Sequence, residues 1–364
     1  MKNAPAALSR RRFLGSLAAT ATIAALPAAL RAQSAGKPIP LGFDNFAVRA
    51  LNWKAPQLLD YAAELKVDTL FISDLEAIGS LEKAPLQEIK KKADDLGIAL
   101  YVGSWSICPT SVRFRDTWGT AEEHLLTGIR VSQTLGSPVF RVVLGAMEDR
   151  KTPGGIQARI ADTVKVLKAC RSQAVDAGVK IAVENHAGDM HSWELADLVE
   201  AAGKDFVGVN IDSGNAAWTL EDPVDVLKRL GPYTICSSLR DNMIWKSPDG
   251  ATVQWTPIGE GVTDWQKFIA LWRKHCPTVP FQIETISGFS KAFPYEKAEF
   301  WEHYDKRPEA LARFVALAER GKEMQPFRAP EGADKKKAEQ DYQKSELEKS
   351  IRYCRETLKL GLKS

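Results

Sequence analysis

The sequence of 364 residues predicts an α/β protein, a (β/α)8 TIM barrel with an extra C-terminal helix. Short runs of β-branched and aromatic residues alternate with longer amphipathic segments, which indicates βα units and a parallel sheet. Eight such pairs fit into about 285 residues, the size of a TIM barrel. An open doubly wound sheet would more naturally carry a glycine-rich phosphate loop after its first strand, and the stretch DNFAVRALNW is not one.

Each strand is recognised by its apolar run and each helix by its periodicity. The predicted strands are 40–46, 68–73, 98–105, 138–144, 179–184, 206–212, 233–240 and 279–284. The predicted helices are 55–66, 84–96, 120–135, 155–177, 192–202, 221–230, 264–275 and 307–322. Glycines in DDLGI, QTLGS and VDAGV are typical of helix ends. These elements place the barrel at residues 38–325.

Residues 1–34 have the pattern of an export signal peptide of the twin-arginine type. Arg10 and Arg11 precede Phe13, Leu14 and an apolar run of small residues, and RAQSA offers cleavage sites. This predicts an exported, periplasmic protein that is handled by the twin-arginine export machinery. An uncleaved anchor is the weaker alternative, since the apolar run is at the lower limit for a membrane span. We therefore expect no stable membrane span in the mature form.

Charge and cysteine content exclude some classes of protein. The formal net charge is +3, and the first 34 residues hold five basic residues and no acid, so the remaining chain carries −2. A slightly acidic body predicts no nucleic-acid partner. Five widely spaced cysteines without a Cys-x-x-Cys pair exclude a zinc ribbon and a dithiol motif, and the sequence does not decide whether any of them form a disulfide.

Alternation in the last four barrel strands separates two faces of the sheet. The apolar face, expected against the helices, holds Ile181, Val183, Val207, Val209, Ile211, Ile235, Leu239, Phe281 and Ile283. The face expected inside the barrel holds Ala182, Glu184, His186, Gly208, Asn210, Asp212, Cys236, Ser238, Arg240, Gln282 and Glu284. Ionisable side chains therefore end four successive strands at one mouth, where enzymes of this architecture carry out their chemistry.

Three of these residues, Glu184, Asp212 and Glu284, are predicted to converge. Burying several carboxylates together is costly unless a cation or hydrogen-bond donors compensate them. Oxygen ligands with at most one imidazole suit Mn²⁺, Mg²⁺ or a similar ion. The sequence therefore predicts a divalent metal ion as cofactor, without fixing its identity.

Five stretches, IAVENH, VNIDSGN, SSLRD, WTPIGEGVTDW and FQIETISG, resemble in order and spacing the xylose-isomerase-like barrel family of sugar isomerases and epimerases. The resemblance covers about residues 40–322. It implies that Glu184, Asp212 and Glu284 bind the metal and that the two glutamates exchange the substrate proton. It also implies a histidine ligand where this chain has Ser238, a lysine where it has Arg240, and often a histidine where it has Asn215.

Four residues are candidates for substrate binding: His186, Asn215, Arg240 and Trp105. His186 lies on the face of Glu184 and could fill part of the gap left by the missing imidazole. Arg240 could bind hydroxyls or a carboxylate, or form an ion pair with Asp241 or a neighbouring strand-end carboxylate. Trp105 ends strand three on the mouth side and could stack on a sugar ring, as could Trp245 or Trp255 in the long connection 241–263, which could be a lid.

The sequence favours a sugar isomerase or epimerase-like enzyme with divalent-metal-assisted proton transfer at a carbon next to a carbonyl. Glu184 and Glu284 are the catalytic candidates, and a small-molecule carbohydrate is the expected partner. One alternative is a lyase or hydrolase that acts on keto-glycosides through the same proton abstraction. A non-catalytic carbohydrate-binding protein of the envelope is the other. A phosphodiesterase of the related endonuclease branch fits least, because such sites need more histidines at strand ends.

Residues 326–364 are predicted to form a linker and a charged C-terminal helix. Its apolar stripe of Leu347, Ile351, Cys354 and Leu358 follows helical spacing. We expect this stripe to pack on the barrel, and a contact between subunits of a homo-oligomer is the alternative.

Overall fold

Eight parallel strands form a nearly closed barrel in the computed structural model, which describes residues 38–363. The predicted export signal lies outside these residues. The barrel strands are β1 Leu41–Asp44, β2 Thr69–Ile72, β3 Ala99–Ser106, β4 Val139–Val143, β5 Lys180–Glu184, β6 Val207–Ile211, β7 Thr234–Ser237 and β10 Phe281–Ile283. The last strand, β10, pairs with β1, and a bridge between Leu239 and Ile283 joins it to the chain after β7. The predicted α/β (β/α)8 fold is confirmed.

Twelve helices are assigned within the described residues. They are α1 Ala55–Glu64, α2 Leu75–Ile78, α3 Lys83–Asp95, α4 Ala121–Leu135, α5 Gly155–Ala169, α6 Arg171–Ala177, α7 Ser192–Ala202, α8 Ser213–Ala216, α9 Pro223–Leu230, α10 Trp265–His275, α11 Pro308–Arg320 and α12 Lys335–Glu356. The helix predicted at 155–177 is divided at Cys170 into α5 and α6. Gly97, Gly136 and Gly178 have φ values of 61°, 72° and 66°, the left-handed conformation expected after a helix.

Residues that face the helices and residues that face the barrel interior alternate along the strands as predicted, with one exception. Apolar residues such as Val183 and Val209 join the main core between strands and helices, while Ala182 and Cys236 pack inside the barrel with Phe71 and Val139. Ile235, predicted on the outer face, packs against this inner cluster instead. The reason is a register shift in the pairing of β6 with β7, which interrupts the two-residue alternation.

The connection predicted as a long loop and lid, 241–263, contains regular secondary structure. Its strands β8 Asp241–Ser247 and β9 Gly250–Thr256 form an antiparallel hairpin, and β11 Ser290–Phe293 extends it to three strands. Helix α11 covers this small sheet through Phe314 and Leu317. The long connection is therefore mostly a hairpin, which directly follows Arg240 in the chain, and its role as a lid stays a prediction.

The C-terminal helix α12 belongs to the outer layer of the barrel. It contacts β1 and β10, and all four residues of its predicted stripe are buried in the main core. Because α11 packs on the small sheet, α12 takes the place of the helix that should follow the eighth strand. Residues 38–363 thus form one compact unit, in which the C-terminal helix packs on the barrel.

Two further features concern the whole described chain. None of the helices between residues 38 and 363 is both long enough and apolar enough to cross a membrane. All five cysteines lie in this part of the chain, and each is buried and free.

Candidate active site

Three carboxylates converge at the carboxyl ends of the strands. Glu184 ends β5, Asp212 directly follows β6 and Glu284 directly follows β10, and one oxygen of each lies within 4.8 Å of the others. Asn185 helps to position two of them, since its side-chain amide donates to the carbonyl of Asp212 and accepts from the Asp212 N–H, both at 2.8 Å. These bonds tie the end of β5 to the end of β6. The predicted convergence is confirmed.

Arg240 lies in the centre of this cluster. Its Nη2 donates to Asp212 and Glu284, and its Nε donates to Asp212 Oδ1 at 3.3 Å. The sequence left open an ion pair of Arg240 with Asp241 or with a neighbouring strand-end carboxylate. The pair that forms is the one with the strand-end carboxylates Asp212 and Glu284. Gly214 makes room for the side chain, because a Cβ there would lie 2.3 Å from Arg240 Cγ. The ring of Trp255 lies 4.3 Å from the guanidinium.

Arg240 keeps one unused donor. Its Nη1 is buried and has no hydrogen-bond partner among residues 38–363. Burial alone would lower the pKa of Arg240, but Asp212 and Glu284 raise it above its ordinary value. The side chain is therefore a permanent cation with a free N–H group in the site.

Glu184 has a second set of partners. Arg141 forms an ion pair with it, with 2.7 Å between Nε and Oε2, and Asn210 Nδ2 donates to the same oxygen at 2.8 Å. Asn215 Nδ2 contacts Glu184 Oε1 at 3.3 Å and Asp212 Oδ2 at 2.6 Å. Burial raises the pKa of Glu184 to about 7, an effect that Arg141 opposes and Asp212 reinforces.

Glu284 and Asp44 complete the charged cluster. Burial raises the pKa of Glu284 well above its ordinary value, although Arg240 acts in the opposite direction. Asp44 ends β1, accepts from Ser73 Oγ at 2.5 Å and from Ser238 Oγ at 3.3 Å, and also has a pKa raised by burial. Four carboxylates thus face only two guanidinium groups, and burial raises the pKa of three of them, Glu184, Glu284 and Asp44.

Asp44 and Arg141 were not predicted from the sequence. Each is a charged residue in an otherwise apolar strand, in LGFD and VFRVV. Alternation places each of them on the inner face, as it does for Glu184. The same parity argument, applied to the first four strands as well as to the last four, would have found both.

His186 and Trp105 lie beside the carboxylates as predicted. His186 Nδ1 is 2.5 Å from the carbonyl oxygen of Gly145, and because a carbonyl only accepts, this nitrogen carries the proton. Burial lowers the pKa of His186 to about 3, so the ring is neutral and Nε2 can accept a hydrogen bond. The next residue, Ala187, has a φ of 43°, an uncommon left-handed conformation that shapes the turn after β5. The rings of Trp105 and His186 meet edge to face at 6.2 Å.

A central cavity of about 60 Å³ joins these groups, and it has room for a few water molecules only. It is lined by Phe46, Ser73, Asp74, Trp105, Arg141, Glu184, His186, Ala187, Asn215, Arg240, Trp255, Glu284 and Ile286. The structure therefore brings all four predicted substrate-binding residues together with Glu184 and Glu284. Trp255 is included, whereas Trp245 lies in a separate groove near Glu319. A larger groove of about 720 Å³ beside Trp193 shares no residue with the central cavity.

The three carboxylates fit the predicted divalent ion only in part. The three carboxylate oxygens are close enough to share one, but Arg240 Nη2 already contacts two of these residues. Ser238, at the position of the expected imidazole, is hydrogen-bonded to Asp44 and Asn210. An ion in contact with all three carboxylates would have to displace the guanidinium. The carboxylate cluster is present, and the ion itself stays a prediction.

The fold and the site define a TIM-barrel protein with a buried cluster of carboxylate and guanidinium groups at the carboxyl ends of its strands. The chain belongs to the xylose isomerase-like TIM barrel family, whose model matches residues 59–288.

Individual relatives are distant. The chain is 20% identical over 210 residues to 3-oxo-isoapionate decarboxylase of Pectobacterium atrosepticum, which covers 57% of this chain and 69% of that protein. A crystal structure of D-psicose 3-epimerase in the presence of D-fructose is similar, with a TM-score of 0.56, 16% identity, and coverage of 87% of this chain and 98% of that one. The IolI protein with a bound zinc atom gives a TM-score of 0.53 and 14% identity, with coverage of 77% and 95%. These likenesses to solved structures concern the fold.

Proposed function

We propose that this protein is a carbohydrate-modifying enzyme that removes a proton from a carbon next to a carbonyl group. The observation that carries the proposal is a pair of buried carboxyl groups, Glu184 and Glu284, that line one cavity. The guanidinium cation of Arg240 lines the same cavity and contacts Glu284. The relatives support it. Epimerisation next to a ketone and decarboxylation of a 3-oxo acid both place negative charge on a carbon beside a carbonyl and pass through an enolate.

Glu184 is the base and Glu284 the acid in this proposal. The pKa of Glu184 is raised to about 7, so its carboxylate form is present near neutral pH and takes the proton. The electrons of the carbon–hydrogen bond then move to the carbonyl oxygen. Burial raises the pKa of Glu284 well above its ordinary value, and in this proposal Glu284 is the protonated partner that returns a proton to carbon. Return to the opposite face of the same carbon gives an epimer. Return to the former carbonyl carbon gives an isomer, provided that the proton of the neighbouring hydroxyl moves to the enolate oxygen and a new carbonyl forms there.

Arg240 stabilises the enolate oxygen in this reaction. Its free Nη1 is a charged donor in a site shielded from water, and such donors are strong because they need no reorganisation during the reaction. The predicted divalent ion, held by Glu184, Asp212 and Glu284, would supply the same stabilisation as a Lewis acid. The two cations are alternatives, because both need the oxygens of Asp212 and Glu284. The geometry favours Arg240.

Solvent deuterium tests the proposal. The purified mature chain is incubated in D₂O with a panel of aldoses, ketoses and keto-glycosides, and recovered sugars are analysed by mass spectrometry. We expect deuterium at the carbon beside the carbonyl of at least one sugar, and loss of this exchange in Glu184→Gln and Glu284→Gln. Glu221→Gln, a change in a buried glutamate that does not line the cavity, is the matched control.

Two other outcomes identify the alternatives. Release of a free aglycone together with deuterium uptake would indicate a lyase, in which elimination follows the same proton abstraction. Binding of sugars without exchange in any of them would contradict the enzyme proposal and indicate a carbohydrate-binding protein.

We place the mature chain in the periplasm as a further part of this proposal. The five buried, free cysteines support export in the folded state, because their thiols are then inside the core before the chain reaches an oxidising compartment. Fractionation of cells and N-terminal sequencing of the mature protein would test the location and the cleavage after the leader.

A further inference from the structure

A second cavity lies beside the central one and is much larger. This outer groove has a volume of about 510 Å³ and runs between the loop 285–289 and the C-terminal residues Phe327 and Tyr342. Ile286 lines both cavities, so the groove and the central cavity are neighbours. The central cavity, at about 60 Å³, is much smaller than typical ligand pockets, whereas the volume of the groove falls in the usual range for such pockets. The groove therefore supplies the space that the reacting centre lacks.

Aromatic rings extend from the reacting centre into the outer groove. Trp255 lies under the Arg240 guanidinium, and Phe289 packs against Trp255 with ring centroids 5.3 Å apart. Phe327, which also lines this groove, stacks on Tyr342 at 3.9 Å. Phe289 is 47% exposed and Phe327 38%, and they are two of the five large apolar side chains that are exposed in residues 38–363. Exposed rings that line one groove are a surface on which a flat or cyclic group can stack.

Polar groups also line this groove, and one of them has no partner within the described residues. Thr285 is 2% exposed and its Oγ1 finds no hydrogen-bond partner within the described chain. A buried hydroxyl without a partner costs free energy, and a ligand hydroxyl would satisfy it. Arg49 lines the groove as well, where its guanidinium donates to the carbonyl of Phe46 at 3.3 Å. Aromatic walls with a few polar groups are the usual lining of a carbohydrate or glycoside site.

We propose that the outer groove binds the second ring of a glycoside, while only the reacting carbon and its carbonyl group enter the central cavity. The substrate class is thus a glycoside or disaccharide, and a free monosaccharide would leave the groove empty. This inference rests on the proposed function for the reacting end, but the binding of the second ring can be measured without any reaction.

The experiment uses non-reacting probes. Glucose, galactose and xylose are compared with their phenyl β-glycosides by titration of the tryptophan fluorescence of the wild-type chain and by calorimetry. We expect at least one phenyl glycoside to bind about tenfold or more tightly than its free sugar. Phe289→Ala and Phe327→Ala should each reduce this ratio about threefold to tenfold, the usual effect of losing one aromatic stack.

Controls separate the groove from general effects on folding. Leu362→Ala changes another exposed apolar residue, which lines none of the cavities described above, and should leave the ratio unchanged. Phe289→Leu keeps a large apolar side chain without the ring, and Thr285→Val keeps the shape without the hydroxyl. Both should still lower the ratio if the ring face and the hydroxyl bind ligand.

Several results would overturn the inference. Equal binding of sugar and glycoside, no binding of any glycoside, or a ratio insensitive to Phe289 and Phe327 would each do so. A change from dimer to monomer in the alanine variants on gel filtration would show instead that the groove is an interface between copies of the chain. Failure of deuterium exchange with retained glycoside binding would contradict the proposed function alone.

Discussion

Replacement of Arg240 by methionine tests the centre of the site directly. Methionine keeps the unbranched stem of the side chain and removes the charged guanidinium group. Arg240 is 2% exposed and compensates both Asp212 and Glu284, so the change leaves two buried carboxylates without their shared cation. Removing one partner of a buried ion pair costs about 3–5 kcal/mol.

This free energy corresponds to a measurable change in Tm. A folded unit of about 330 residues has an unfolding entropy of about 0.7 kcal/mol/K, so each kcal/mol lowers Tm by about 1.5 °C. We expect Arg240→Met to melt about 4–7 °C below wild type. Arg171→Met is the matched control, since it breaks an exposed ion pair with Asp205, and its effect should stay below about 1.5 °C.

The same variant decides between the guanidinium and a metal ion. Without Arg240, the three carboxylate oxygens within 4.8 Å of one another are open to Mn²⁺. At a concentration of one hundred times its Kd, an ion stabilises the fold by about 2.7 kcal/mol, or about 4 °C here. We expect this gain in Arg240→Met and little gain in wild type. A wild-type protein that purifies with one divalent ion per chain, or that Mn²⁺ stabilises equally, would refute the assignment of Arg240 as the cation of the site.

Three further predictions follow from the site and the leader. The exchange rate with deuterium should rise with pH and reach half its maximum near pH 7, because Glu184 must be ionised and its pKa is raised to about 7; a midpoint near pH 4 would contradict this role. Gly214→Ala should displace Arg240, whose Cγ lies 2.3 Å from the new Cβ, and lower the exchange rate about tenfold or more while the charge is retained; a wild-type rate would count against the positioning of Arg240. Changing Arg10 and Arg11 to lysine should leave the protein in the cytoplasm on cell fractionation, and normal export would exclude the twin-arginine route.

Much of the barrel could be predicted because its pattern is local. A run such as KIAVE alternates small or charged residues with branched apolar ones, and in a parallel barrel this alternation fixes which side chains face inward. Since all strands of a TIM barrel end at the same mouth, strand-end position alone was enough to bring Glu184, Asp212 and Glu284 together. The parity argument failed at Ile235, where a register shift between β6 and β7 changes the side on which a residue lies.

The contacts within the site depended on the tertiary structure. The sequence indicated that three buried carboxylates need a positive charge, but it did not show that Arg240 supplies it or that Arg141 from β4 pairs with Glu184. Arg141 and Glu184 are on neighbouring strands but far apart in sequence, and spacing along the chain contains no information about such a distance. The competition between a guanidinium and a metal ion for the same oxygens is visible only when the side chains are in place.

The position of the C-terminal helix was decided in the same way. Both α11 and α12 have an apolar stripe, and either stripe could cover the outer face of β10 and β1. The hairpin of β8 and β9 provides a second apolar surface that buries α11, which leaves the outer face of β10 and β1 to α12. By itself the sequence determined the barrel, the inner face of its strands and the carboxylates at its mouth. Tertiary structure decided which helix completes the barrel and which cation meets the carboxylates, because both depend on surfaces that form only when distant segments pack together.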